Sequence, residues 1–440
     1  MIKKSSRWLI TAAVVLLSVM PLVLSQSLIN AAIQMLIALL FACAFNLLCG
    51  QGGMLSFGHS AYFGVGAFTT IHIMSDIGGK GLLPTPLLPL AGMCGGFLFG
   101  LAAGWFSTKR TGVYFSMITL AIAELLHAIS SQLKGLFGGE AGISVMRAPA
   151  WGLSFGNATQ MYYLTLGWVL LSLVMLYFYT GTPVGRLTLA VRENSHRLRF
   201  LGYKVHTLKV LAFAVSAMFV GVAGSLQAIN NEACNYVIFD LRLSAEVVLN
   251  TYIGGVNVFL GPALGAAVMT FFGYAVSDLT RSWLLYQGVL FVLVMLFMPT
   301  GLAGLMQWWM EARRNHSFVA LLPILALSLL SALLLIVGSV FMVEMTQRIF
   351  SQDYQSLLRV AQSSAWPPVS LFGRQWPPGS LLTWSAPLLC LICGLFMVKM
   401  TRKQWFILKE NNSDPEGAAI QDSEVGKASS QPNRLLVDEE

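Results

Sequence analysis

Apolar runs of spanning length recur along this chain, separated by short polar stretches. They lie near residues 8–25, 28–48, 54–74, 86–106, 112–133, 160–180 and 209–229. Two shorter runs follow near 243–257 and 260–278, then one near 283–300, and a further pair near 318–343 and 380–398. A helix needs about 20 apolar residues to cross a bilayer. In lipid each backbone N–H and C=O must find an internal partner, so the runs predict helices. Composition agrees: 56% of the 440 residues are hydrophobic and 10% charged, against about 25% charged in soluble domains. The expected fold class is an all-α polytopic membrane protein, with about ten segments in the main body and two extra spans at the C-terminal end.

The net charge of +8 is a topology signal, not a nucleic-acid footprint, because the basic residues sit in loops. With the N-terminus inside, alternation puts Lys109–Arg110, the loop 185–209, Arg313–Arg314 and Lys399, Arg402 and Lys403 on the cytoplasmic side. Loops 75–85, 134–158, 230–242 and 344–379 fall outside and are poorer in Lys and Arg. Both termini are expected in the cytoplasm. Residues 243–278 fit two crossings or one re-entrant hairpin turning at Gly254–Pro262. The N-terminal run resembles a signal peptide but closes on no A-x-A site, so an uncleaved first span is expected.

The polar segment Gly185–Lys209 stands out against this background. It carries Arg186, Arg192, Arg197, Arg199, Lys204 and Lys209 against one acid, Glu193, with Leu187, Leu189, Val191 and Leu198 between them. Spaced charge without Pro predicts an amphipathic surface helix, and Gly202 sits where a stop belongs. A solvated basic loop is the plainer alternative.

Gly92, Gly96, Gly100 and Gly104 recur every four residues in the fourth run. They form a flat stripe that admits a second helix closely. The six cysteines, Cys43, Cys49, Cys94, Cys234, Cys390 and Cys393, lie mostly in apolar runs and read as packing residues; the Cys390/Cys393 spacing has no partner motif.

No catalytic motif supports an enzyme. Neither Gly78–Gly81 nor Gly426–Ala428 has the G-x-x-x-x-G-K-S/T spacing that cradles phosphates, and no HExxH, GxSxG or metal-spaced His/Cys cluster occurs. Ionisable residues within spans are costly in lipid and mark partners or pathways. They are His59, Glu124, His127 and Glu246. Glu124 and His127, at i and i+3, share a helix face, where they can pair with each other or line a path. His59 lies in the glycine-rich stretch Gly50–Ala67. There the backbone can leave the helix and present N–H groups to an anionic solute, or small residues can simply pack closely.

Three blocks resemble the LivM/LivH permease family, on the LivM side. Gly50–Ala67 resembles the family's G-Q-x-S-x-G-H-A-x-F-x-G-x-G-A through Gln51, Ser56, Gly58, His59, Phe63, Gly64 and Gly66. Gly112–Ala121 followed by Gly138–Gly139 is the second. The third runs through Gly185, Arg186, Ala190–Asn194, Leu201–Gly202, Lys209, Ala212–Phe213, Ser216–Ala217 and Gly221–Leu226. Gly254–Gly255, Gly261–Pro262, Gly265–Ala266 and Pro299–Leu305 extend the likeness over residues 8–305.

The resemblance implies the membrane subunit of an ABC importer for branched-chain or other amino acids, or for urea- or amide-type solutes, in a bacterial inner membrane. Its implied partners are cytosolic ATP-binding cassette subunits, a second permease subunit and a periplasmic solute-binding protein, with lipid around it. No cofactor binds this chain, and ATP is used by the partner. Gly185–Gly202 becomes a coupling helix, with Gly185, Arg186, Arg192, Glu193, Asn194 and Gly202 as its marked positions. Gln51, Ser56, His59, Gly64, Glu124 and Glu246 become candidates for the path. An autonomous secondary transporter is the contrasting reading.

Two departures are visible. Gly138–Gly142 reads GGEAG where the family often has G-G-T/S-D-G, which implies a solute other than leucine, isoleucine or valine if that loop meets the binding protein or substrate, and Val256–Phe259 is less typical. Residues 1–305 are thus expected as the permease domain and 306–409 as a two-span extension with a repeated Trp-Pro-Pro loop at Trp366 and Trp376. Residues 410–440 are expected as a disordered, polar tail.

Overall fold

Two helices hold the main body together. α2 (Gln26–Asn46) and α9 (Val205–Asn231) are buried along most of their length: 78% of the apolar window of each lies inside the protein, against 17% for the C-terminal pair. The computed structural model describes residues 4–76, 83–277, 280, 282–298, 300–305, 318–361, 366–371 and 374–413. The expected loop glycines Gly78–Gly81, Pro299, Arg313–Arg314 and the tail beyond Ser413 lie outside the described residues. The chain divides into two units, Met1–Trp308 and Trp309–Glu440.

In the first unit α1 (Lys4–Val23) lies on α7 (Ala158–Gly181), where Tyr162 and Tyr163 donate their hydroxyls to the carbonyls of Leu17 and Ser18. The first apolar run is therefore built into the bundle. α3 (His59–Asp76), α4 (Pro89–Ser107), α5 (Val113–Gln132) and the one-turn α6 (Lys134–Phe137) follow. α9 packs against α2, α3 and α4. The glycine stripe of α4 makes this approach close. A Cβ on Gly92 would collide with the Ser225 hydroxyl, on Gly96 with the Ala217 carbonyl, and on Gly221 with the Gly92 carbonyl.

The run expected at 54–74 is not helical throughout. α2 ends in a π-helical turn, Leu47–Gln51, and residues 53–58 are irregular before α3 starts at His59. Protein covers that irregular backbone, as burial in a membrane requires. Ser116 donates to the Leu55 carbonyl (2.5 Å), and Phe57 N–H donates to the Thr119 hydroxyl (3.3 Å). Gly58 touches the Thr119 carbonyl so closely that no Cβ fits.

Residues 241–277 form a helical hairpin of α10 (Leu241–Gly254) and α11 (Gly261–Ser277). The arms are about 21 and 25 Å long at 1.5 Å per residue, short of a hydrocarbon core of about 30 Å. Glycines set their contact: Gly265 lies against the Asn250 carbonyl and Gly254 against that of Gly261, while Gly255 turns the chain at φ +106°. α12 (Trp283–Phe297) packs against both arms.

In the second unit two long helices, Phe318–Ile349 and Leu381–Ser413, pack together. The Trp-Pro-Pro region between them forms a short hairpin, Val369–Leu371 with Arg374–Trp376. Met345, Tyr354, Val369 and Leu371 make its core, and Tyr354 donates to the Pro367 carbonyl. Seven helices among the described residues are long and apolar enough to cross a membrane, and three shorter apolar ones accompany them.

Candidate functional site

α8 (Pro183–Phe200) occupies the predicted amphipathic segment. Thr182 caps it, its hydroxyl accepting the Gly185 N–H (3.1 Å), and Pro183 occupies the first turn. That Thr-Pro pair is the start signal, two residues ahead of the expected start at Gly185. Gly185 is buried against the Tyr179 carbonyl, with no room for a side chain. Thr188, Val191 and Leu198 face inward, and Arg186, Glu193 and Arg197 outward.

The helix stops where Gly202 predicts. Gly202 takes φ +84°, and Tyr203 N–H reaches back to the Leu198 carbonyl (3.1 Å). The expectation of one continuous helix is corrected at Asn194, whose backbone (φ −156°, ψ 95°) breaks it. The Asn194 side chain accepts the Arg197 N–H (3.0 Å), so it caps a second short helix instead of projecting from the first.

Arg192 turns toward its own chain. One guanidinium nitrogen donates to the Gly50 carbonyl and the other to the Asn257 side chain (3.5 Å). Gly50 lies in the π-helical turn ending α2 and Asn257 in the α10–α11 turn. One side chain thus joins α8 to both elements. Gly53, at φ +65°, lets the chain pass beside the Arg192 stem. Gln51 closes the π-turn half-buried.

His59 is fully buried and sits among the rings of Phe45, Tyr62 and Phe213. Its Nε2 lies 3.1 Å from the Ser216 oxygen and its Nδ1 2.9 Å from that of Ser56. Ser216 gives its own proton to the Ala44 carbonyl (2.7 Å), so it accepts from Nε2–H, and Ser56 donates to Nδ1. This pins a neutral imidazole at the junction of α2, α3 and α9. Gly64 lies against the Phe239 ring, which a Cβ would strike.

On the far side of the bundle from α8, the segments 138–150 and 230–242 meet. β1 (Ile143–Ser144) pairs with β2 (Ala233–Cys234). The Arg147 guanidinium meets Glu232 at 2.7 Å, and the Arg147 N–H donates to the same carboxylate (3.1 Å). Burial opposes the Glu232 charge, but the two Arg147 hydrogen bonds and the Arg147 charge outweigh it, holding the carboxyl below its ordinary value. Burial pushes the Cys234 thiol up to about 12, in keeping with a packing role.

Glu124 is exposed on α5, and no ion pair joins it to His127, whose ring instead lies 5.5 Å from that of Tyr236. Glu124 thus points outward while His127 packs on Tyr236, so the two share a helix face without the expected pairing. Glu246 lines a cleft of about 540 Å³ between α2, α9, α10 and α11. Ile37, Phe41, Phe63 and Val247 supply apolar wall, Gln227, Asn231, Asn250 and Thr270 supply polar groups, and Asp240 and Arg242 bring charges of both signs beside Glu246. Asn250 is 2% exposed, and its side-chain Oδ1, like the Thr270 hydroxyl, has no hydrogen-bond partner. Buried acceptors of this kind fit a ligand that donates. Sequence reasoning missed Asn250 and Thr270 because polar residues in an apolar run carry no depth label.

Glu246, Arg192 with Gln51, and His59 with Ser56 therefore occupy three separate places. The fold is that of a polytopic α-helical membrane protein with a two-part amphipathic helix tied to one end of the bundle and a polar cleft at the other. The chain belongs to the family described as branched-chain amino acid transport system / permease component, whose model matches residues 27–299. It is 26% identical over 320 residues to the high-affinity branched-chain amino acid transport system permease protein LivM of Escherichia coli strain K12, covering 67% of this chain and 74% of that protein. The same permease of Salmonella typhimurium is 26% identical over 309 residues, 64% of this chain and 71% of the relative. The autoinducer 2 import system permease protein LsrC of Photorhabdus laumondii is 27% identical over 190 residues, 41% of this chain and 53% of the relative. No solved structure matches.

Proposed function

We propose that this chain is the permease subunit of an ATP-binding cassette importer for an amino acid or a related solute that carries an amine or amide donor. Family membership together with the placement of α8 supports the reading most directly. α8 presents Arg186, Glu193 and Arg197 outward, while Arg192 links it to the end of α2 and to the α10–α11 turn. A cytosolic ATPase docked on the outward residues would move both elements through that link. ATP is bound and hydrolysed by the ATPase, and this chain makes and breaks no bond in the solute. The α8 face is the cytoplasmic one, and a solute-binding protein delivers from the opposite side.

The cleft gives the solute class its chemical support. Glu246 with the unpartnered acceptors of Asn250 and Thr270 suits an ammonium or amide N–H, and Phe41 and Phe63 suit an apolar body. A second permease subunit completes the path. A urea-type solute satisfies the same donors without needing the apolar wall.

The test is affinity capture of the tagged chain from native membranes in mild detergent. Co-purification of an ATPase and a second permease is expected, as is loss of the ATPase on Arg186→Glu. Recovery of the chain alone, with solute flux into liposomes without ATP, would replace this reading with an autonomous transporter.

A further inference from the structure

A second cavity, about 510 Å³, lies between the irregular segment after α2, the α4–α5 turn, the middle of α8 and the second turn of α9. Its lining has three cations, Arg110, Arg192 and Lys209, and no acidic residue. Arg192 is engaged with Gly50 and Asn257, as described above. Lys209 is 8% exposed and makes no hydrogen bond or ion pair among the described residues. A mostly buried cation that meets a cavity with no counter-charge is unfavourable, so this position favours an anion beside it.

The α5 N-terminus opens into the same cavity. Gly112 is its N-cap, with φ +63° and ψ −137°, a backbone that glycine adopts and other residues rarely do. Having no side chain, Gly112 leaves the first N–H groups of α5 uncapped, and no acid stands in the first turn. A helix of 20 residues carries about half a positive charge at this end. Unused N–H groups, the dipole, a buried lysine and an exposed Arg110 converge on one space, the arrangement that holds phosphate oxygens.

We propose that this cavity is an anion site for a phosphate group, supplied by the headgroup of an anionic phospholipid in the leaflet that surrounds the α8 face. Occupancy would brace the α4–α5 turn against the base of α8 and the glycine segment. The site is independent of the solute cleft. An adjoining fact suits a lipid source: Trp105 and Phe106 at the end of α4 are exposed, and Lys109 stacks on Trp105 at 3.5 Å, the composition of a membrane–water interface.

The test uses the full chain purified in neutral detergent. It is titrated separately with phosphatidylglycerol, with phosphatidylcholine of the same chain length, and with inorganic phosphate. Thermal midpoint and lipid retained in native mass spectrometry are the readouts. Phosphatidylglycerol should raise the midpoint and stay bound, and phosphatidylcholine should do neither. Arg110→Gln should weaken retention roughly fivefold, the effect of one basic residue on an anionic lipid, and Lys209→Met should abolish it. Arg110 is exposed, so its variant keeps the test valid if Lys209→Met fails to fold. An equal midpoint rise with inorganic phosphate, lost in the same variants, would keep the anion site and assign it a soluble source. Equal retention of the two lipids, or equal phosphatidylglycerol retention by wild type and Arg110→Gln, would overturn the proposal. So would loss of ATPase capture by Arg110→Gln with lipid binding intact, which would make the arginine a protein contact.

Discussion

Arg192→Met separates two roles that sequence assigns alike. The outward residues of α8 would hold the ATPase, whereas Arg192 holds α8 to its own chain. Its loss removes a charged donor from the Gly50 carbonyl and a longer contact to Asn257. A hydrogen bond to a charged group contributes about 1.5–3 kcal/mol. The low end applies because the residue is exposed overall, and the Asn257 contact at 3.5 Å adds little. About 1.5 kcal/mol is close to a factor of ten in a local opening equilibrium. Hydrogen exchange of the amides of Val184–Glu193 and Leu47–Gly53 should therefore quicken roughly tenfold, with global stability little changed. In the assembled importer the variant should still capture the ATPase, and ATP hydrolysis should continue while solute uptake falls. Arg186→Glu should instead release the ATPase and leave exchange in α8 unaltered. Unchanged exchange in Arg192→Met, or release of the ATPase by it, would refute the strut assignment.

Three further outcomes are expected. Gly221→Val places side-chain atoms against the Gly92 carbonyl and Gly96 backbone; overpacking costs about 1–3 kcal/mol and here meets backbone on both sides, so purified yield and thermal midpoint should fall, and a normal midpoint would show that α4 and α9 can separate cheaply. Arg147→Met should lower stability by about 1 kcal/mol at neutral pH, a figure discounted for the exposure of Glu232. The Glu232 carboxyl is depressed in the folded state, so the pair's contribution is present above the unfolded value near 4.3 and is lost as pH falls through the folded value. Wild type and variant should thus converge in thermal midpoint under acid, and a gap that persists there would point to packing instead of charge. Glu246→Gln should reduce uptake of a cationic or zwitterionic amino acid while leaving ATPase capture intact; undiminished uptake at limiting solute would remove Glu246 from the path.

Local chemistry made part of this protein readable without coordinates. Run length in lipid fixes helices, because the backbone has no other partner, and small residues every four positions fix a close helix contact, because nothing else permits one. Gly202 marked a helix end by the same local logic. Tertiary structure decided what each polar residue faces. Arg192 and Arg186 are both basic residues on the same predicted helix; one is tied inward only because the end of α2 and the α10–α11 turn, 142 and 65 residues away in sequence, arrive beside it. His59 lies in a motif that suggested a path, and it became a neutral core residue because Ser216 came from α9 to fix its proton. Glu124 and His127 share a helix face yet do not pair, since a face is set by periodicity and a partner by geometry. Asn250 and Thr270 acquire meaning only where α10 and α11 fold against α2 to bury them around one cleft.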